Sequence, residues 1–142
     1  MKVIWTNGCY DVLHIGHIRL LKYAKSLGNK LIVGIDSDQR VSLLKGKDRP
    51  FNNQEARKEF LLCVKHVDDV HIFDSQSEME EIILNQMVDV IVVGKEYENK
   101  KVVGSEFAEV KFFDKVENYS TTNVFLNSKY FFKYFSSEQC PW

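Results

Sequence analysis

The run His14-Ile15-Gly16-His17 sets two imidazoles three residues apart at the start of an expected helix. There they share one side with the helix's unbonded N–H groups, so ring donors, amides and the positive end of the helix dipole face one point. That combination suits an anion, and imidazole can donate to a phosphate oxygen in either protonation state. The same residues admit two other readings, a polar helix cap or, together with Asp11, a metal site. The approach to the pair is Thr6-Asn7-Gly8-Cys9-Tyr10-Asp11. Gly8 permits a tight strand exit, and Gly16 lets a ligand come close to the backbone. Cys9 invites a nucleophile reading, but no dedicated base lies nearby in sequence, so a small buried thiol is the better one.

Three further segments carry related groups. Lys45-Gly46-Lys47-Asp48-Arg49-Pro50, with Arg57 beyond it, sets four cations around a flexible glycine. Lysine as a movable point charge and arginine as a fork suit a polyphosphate tail. Tyr119-Ser120-Thr121-Thr122-Asn123 puts hydroxyls and free amides at a helix start, a second anion cradle. Gly94-Lys95-Glu96-Tyr97 follows an apolar run, so a planar base could lie on Gly94 and stack on Tyr97. Taken singly, these segments read equally as a solvated basic loop, a helix cap and an exposed turn.

The elements that must position these groups alternate. Lys2–Thr6, Lys30–Ile35, Val70–Phe73, Val88–Val93 and Val110–Phe113 are short and apolar, as buried parallel strands are. Between them, Ile18, Leu20, Leu21, Ala24 and Leu27 form one helical face, stopped by Gly28-Asn29. Ala56, Phe60, Leu61 and Val64 form another, with Asn52 and Glu55 as an expected capping box. Ser77 and Glu80 repeat that signature before Ile82-Ile83-Leu84, and Ser120 is a cap for a last helix. The order predicts an α/β, Rossmann-like, doubly wound and mostly parallel five-stranded sheet with helices on both faces. Ligands of such sheets bind beyond the strands' carboxyl ends, which points to the loops 7–16, 36–51, 94–104 and 114–122.

The 142 residues, 44% hydrophobic and 27% charged with a net charge of -1, fit one domain with a single core. The charge balance argues against nucleic-acid binding, and no apolar run is long enough for a membrane span. Three scattered cysteines with no CxxC pair, and an N-terminus that enters a strand directly, lead to the expectation of a reduced, cytoplasmic protein. Residues 1–126 are expected to form the functional domain. Residues 127–142 form a tail with Tyr130, Phe131, Phe132, Tyr134, Phe135 and Trp142, whose aromatic surface should be covered by the body or a second subunit.

Together and in this order, Thr6–Asp11, His14–His17, Leu44–Pro50, Arg57 and Ser120–Asn123 resemble the HxGH nucleotidyltransferases from Val3 to Asn123. The likeness is greatest to the branch that adenylylates heptose 1-phosphate, with the glycerol-3-phosphate cytidylyltransferase branch as cousin. Lys95-Glu96 stands where the cytidylyl branch has an acidic pair, and 115–121 lacks its RTxGIST motif. Both departures lean towards ATP over CTP. Glu98–Phe107 is shorter than its counterpart in the heptose branch.

The resemblance implies that His14 and His17 hold the α- and β-phosphates and that Lys45 bridges the acceptor phosphate and the α-phosphate. It implies that Arg49, Arg57, Ser120, Thr121 and Thr122 hold the β- and γ-phosphates. Thr6, Asn7, Gly8, Cys9, Tyr10, Gly16, Gly94, Glu96 and Tyr97 complete the nucleotide site, and Asp11 orients a histidine or the metal shell. Mg²⁺ is expected on the triphosphate, with mostly phosphate and water ligands and no metal site of the protein's own. The partners implied are ATP or CTP, a phosphorylated sugar or polyol supplied by a separate kinase, and a second copy in a homodimer. A nucleotide-binding regulatory module without turnover is the non-enzymatic reading.

Overall fold

Five strands, β1 (Val3–Gly8), β2 (Lys30–Asp36), β3 (Asp69–Phe73), β4 (Val90–Gly94) and β5 (Glu109–Phe113), alternate with helices in the computed structural model, which describes residues 1–114. The helices are α1 (Ile15–Ser26), α2 (Asp38–Lys45), α3 (Gln54–Leu62) and α4 (Gln76–Asn85). The sheet has the order β3-β2-β1-β4-β5, and every pairing is parallel, so the expected mostly parallel sheet is wholly so.

Side chains alternate between the two faces of each strand. Ile4, Leu31, Val33, Val90 and Val92 pack with Leu21 and Ala24 of α1 and Leu61 of α3. Val3, Trp5, Ile32 and Ile91 pack with Met79 and Ile83 of α4. Helices therefore cover both faces of the sheet, each over its own core. Gly34 is needed for this packing, because a Cβ there would overlap the Trp5 ring.

Two helix caps lie one or two residues from their expected positions. α3 is capped by Asn53, not Asn52, and the side chain of Asn53 accepts from Ala56 N–H. α4 is capped by Ser75, two residues before Ser77, with the Glu78 N–H as donor. In both places another Asn or Ser side chain satisfies the free amide three residues on, and tertiary packing selects between neighbouring candidates. Phe60, expected on the core face, is 49% exposed, while Leu61 beside it is fully buried. The stretch 36–51, read as loop, contains α2, whose own cap is Ser37.

The sheet opens where the chain reverses direction across it. β1 pairs with β2 as far as Gly8 opposite Ile35, but its pairing with β4 ends at Trp5 opposite Ile91. Beyond that point only the Thr6 hydroxyl, donating to the Val92 carbonyl at 2.8 Å, bridges the two strands. This divergence is the topological switch point, where such sheets bind ligands. No helix among the described residues is long and apolar enough to cross a membrane.

Candidate active site

His14 is the N-cap of α1, with extended backbone. Its Nδ1 accepts from the Gly16 N–H at 3.1 Å, and its own N–H donates to Nδ1 of His17 at 3.2 Å. The reciprocal capping box is thus made of two imidazoles. Their rings stack with centroids 3.8 Å apart, and Tyr10 tilts against His17 at 4.9 Å. Because both Nδ1 atoms accept, each neutral ring carries its proton on Nε2. The cap therefore fixes one tautomer in both rings and sets two stacked Nε2–H donors at the positive end of a helix.

His17 lines a cleft of about 450 Å³ at the switch point. Thr6, Asn7 and Gly8 enter it from β1, Cys9 and Tyr10 from the loop that follows, Lys45 from α2, and Gly94, Glu96 and Tyr97 from the end of β4. All of these were expected at the nucleotide site, and the structure brings them together around one space. Tyr10 sits at φ 49°, and a Cβ on Gly8 would press on its ring at 3.2 Å. Burial pushes the Tyr10 phenol up to about 12, offset in part by Thr6, so the ring is a neutral wall.

The Cys9 thiol donates to Asp36 Oδ2 at 3.5 Å. Burial, and then the Asp36 carboxylate, push it up to about 11 from an ordinary 9.0, against a smaller opposing pull from Lys45. A thiol so shifted is a poor nucleophile at neutral pH. Cys9→Ser is expected to keep most turnover, whereas a folded but inactive variant would revive covalent catalysis. In a Cys63→Ser/Cys140→Ser background, alkylation of Cys9 at pH 8 should run about a hundredfold slower than for a free thiol, gaining about tenfold per pH unit.

Three expected ligands are engaged elsewhere. Asp11, buried, accepts from the N–H groups of Phe51 and Asn52 and from Arg49 Nε at 3.0 Å, so it fastens the loop 49–52 to the β1 exit. Arg49 lies against Asp11 and over the Phe51 ring, outside the set of cleft-lining residues. Arg57 is fully buried. Its guanidinium donates to the carbonyls of Asn52, Cys9 and Asp36 and to Asp38 Oδ1, at 2.7–2.9 Å. The resemblance implies Arg57 at the β- and γ-phosphates; in the structure its enclosed guanidinium joins these loops. Ser120, Thr121 and Thr122, like the tail 127–142, lie outside the described residues.

The cleft also contains residues that had no site role expected from the sequence: Leu20, Asp36, Arg40, Leu44, Gln76 and Met79. Arg40 Nε meets Asp36 Oδ1 at 2.6 Å. The i,i+4 Asp–Arg spacing at the end of a buried strand was a usable signal for that pair. Gln76 and Met79 carried none, since only the fold brings α4 to this edge.

A family model described as cytidylyltransferase-like matches residues 5–138. The chain is 46% identical over 123 residues to the bifunctional protein HldE of Campylobacter fetus and 45% identical over 124 to that of Nitratiruptor. It spans 27% of the length of each of these relatives, while 86% and 87% of the chain is matched. The fold is similar to that of a lipopolysaccharide core biosynthesis protein from Thermoplasma volcanium, with TM-score 0.66 at 23% identity, covering 82% of this chain and 99% of that one. It is similar also to Thermotoga maritima TmcAL bound with alpha-thio ATP, with TM-score 0.64 at 14% identity over 94% of this chain and 51% of the other. The two low-identity likenesses bear on the fold alone, whereas the family model covers almost the whole chain. With the histidine-capped helix and the switch-point cleft, it establishes that this chain belongs to the cytidylyltransferase-like family of nucleotidyltransferases.

Proposed function

We propose that this chain transfers AMP from ATP to a phosphorylated sugar of the heptose 1-phosphate kind, releasing pyrophosphate and an ADP-sugar. The observation that carries this reading is that His17, stacked on His14 with its tautomer fixed, and Lys45 line one cleft at the β1–β4 divergence. The motifs that resemble the heptose branch, and the identity to the HldE proteins, support the choice of ATP and of a sugar phosphate.

The acceptor phosphate is already a nucleophile, so no general base is needed. One of its oxygens bonds to the α-phosphorus as the bond to the bridging oxygen of pyrophosphate breaks, and pyrophosphate leaves with the electron pair. The barrier lies in bringing two anions together and spreading charge over five-coordinate phosphorus, which is work for positioned donors. His14 and His17 supply Nε2–H groups to the α- and β-phosphate oxygens, and Lys45 neutralises charge between the two reactants. Gly94 and Tyr97 offer the base a flat floor and a ring.

The carboxylates near the phosphates are already engaged: Asp36 by Arg40 and Cys9, Asp11 by backbone amides and Arg49. Among the described residues no group of three or more His, Cys, Asp or Glu side chains could cage a metal. A magnesium ion brought with the triphosphate would keep mostly phosphate and water ligands, and Glu96 and Asp36 are the acidic side chains that line the cleft. Bound that way, the ion would screen the charge on the outer phosphates. On the same resemblance, the chain works in the cytoplasm as a homodimer.

Each nucleoside triphosphate should be incubated with a panel of sugar 1-phosphates and polyol phosphates and the products weighed by mass spectrometry. The expected product is an ADP-sugar. A CDP-polyol would move the chain to the cytidylyl branch, and ATP binding without pyrophosphate release from any acceptor would leave a binding module.

A further inference from the structure

The reaction proposed above needs a second phosphate in the cleft, and one cation that lines it, Arg40, is not among the residues assigned above to the triphosphate. The sheet edge divides the cleft into two walls. Tyr10 and Leu20 belong to the core on the α1 and α3 side, the side of the histidines. Met79, Val102 and Val103 belong to the core on the α4 side. Arg40 lies on this second side, its guanidinium carbon 5.6 Å from the ring centroid of Phe73 in that core.

Arg40 is held in place. Its Nε donates to Asp36 at 2.6 Å, and the Asp36 side chain is only 10% exposed. Nη1 and Nη2 make no hydrogen bond among the described residues, although Arg40 lines the cleft. An arginine anchored through Nε with its outer fork unengaged is a preorganised bidentate site for phosphate oxygens. Arg40 and Lys45 both belong to α2, and both line the cleft.

We propose that Arg40 binds the phosphoryl group of the acceptor, with Asp36 as its positioning residue, and presents the attacking oxygen from the wall opposite the histidines. The inference rests on the nucleotidyl-transfer reading. In-line displacement requires the entering and leaving oxygens on opposite sides of the α-phosphorus. On that reading pyrophosphate leaves on the histidine side, so the entering phosphate comes from the wall where Arg40 stands.

The test is steady-state kinetics with each substrate varied in turn, on Arg40→Lys, Arg40→Ala and Asp36→Asn. Arg40→Lys keeps the charge beside Asp36 and loses the fork, and is expected to raise the acceptor KM about tenfold with the ATP KM held within about twofold. Arg40→Ala should raise the acceptor KM about a hundredfold, and Asp36→Asn should fall between the two. A parallel rise in the ATP KM would assign Arg40 to the triphosphate, and unchanged KM values for both substrates would make it a structural partner of Asp36. Either result overturns the proposal. Should Arg40→Ala not fold, Arg40→Lys decides. Should the unaltered chain turn over no acceptor, the nucleotidyl-transfer reading fails by itself. Calorimetry with inorganic phosphate then judges the site: weaker phosphate binding in Arg40→Lys at unchanged ATP binding supports it, and equal phosphate binding rejects it.

Discussion

Lys45→Ala and His17→Ala are each expected to lower kcat by about 10²–10³, the usual loss for one preorganised donor at an oxyanion site. Their effects on stability should differ, and that difference separates chemistry from folding. Lys45 is exposed at the end of α2, ahead of Gly46 at φ 107°, so its truncation should move the urea midpoint by less than about 0.5 kcal/mol equivalent. His17→Ala also removes the acceptor of the His14 N–H, a capping loss of about 1 kcal/mol. That is small against the stability of a domain, so the variant remains folded while turnover falls. Pyrophosphate release beside urea unfolding reads both quantities. Near-normal turnover in either folded variant would remove the assigned roles.

Arg57→Ala is expected to behave in the opposite way, with a stability loss of about 3–5 kcal/mol. The guanidinium joins the β1 exit, the end of β2, the start of α2 and the loop before α3 through Cys9, Asp36, Asp38 and Asn52. Removing it leaves buried carbonyls without donors and a void beside them. Arg57→Lys should recover little, because one ammonium cannot reach acceptors spread around a planar fork. If Arg57 instead held phosphates, the ATP KM would rise at an unchanged unfolding midpoint, and that result would defeat the structural assignment.

Arg57 also illustrates where reading a sequence runs out. An arginine downstream of a basic loop has the composition of a phosphate ligand whether it points outward or inward. Its direction is set by the helix face that Leu61 also occupies, four residues on and fully buried. Asp11 is similar: a carboxylate near two histidines invites a metal or orienting role, yet the loop 49–52 folds onto it and takes its oxygens. The caps lie one or two residues from their expected positions because Asn52 and Asn53, or Ser75 and Ser77, offer the same side-chain oxygen. Helix α2 was missed because its eight residues bury only Val41 and leave no apolar stripe to read.

What the amino-acid order determined by itself was the alternation of strand and helix, the strand-exit position of the histidine pair and the proximity of Gly8, Lys45 and Gly94 to a switch point. These follow from periodicity and from chain connectivity, which act over a few residues. Only the tertiary structure decided that the two imidazoles cap their own helix, that Arg57 and Asp11 close loops, and that Arg40, Asp36, Gln76 and Met79 share the cleft. The reason is physical: residue type and spacing specify what a side chain can bond, but burial and the partners brought from distant segments determine what it does bond.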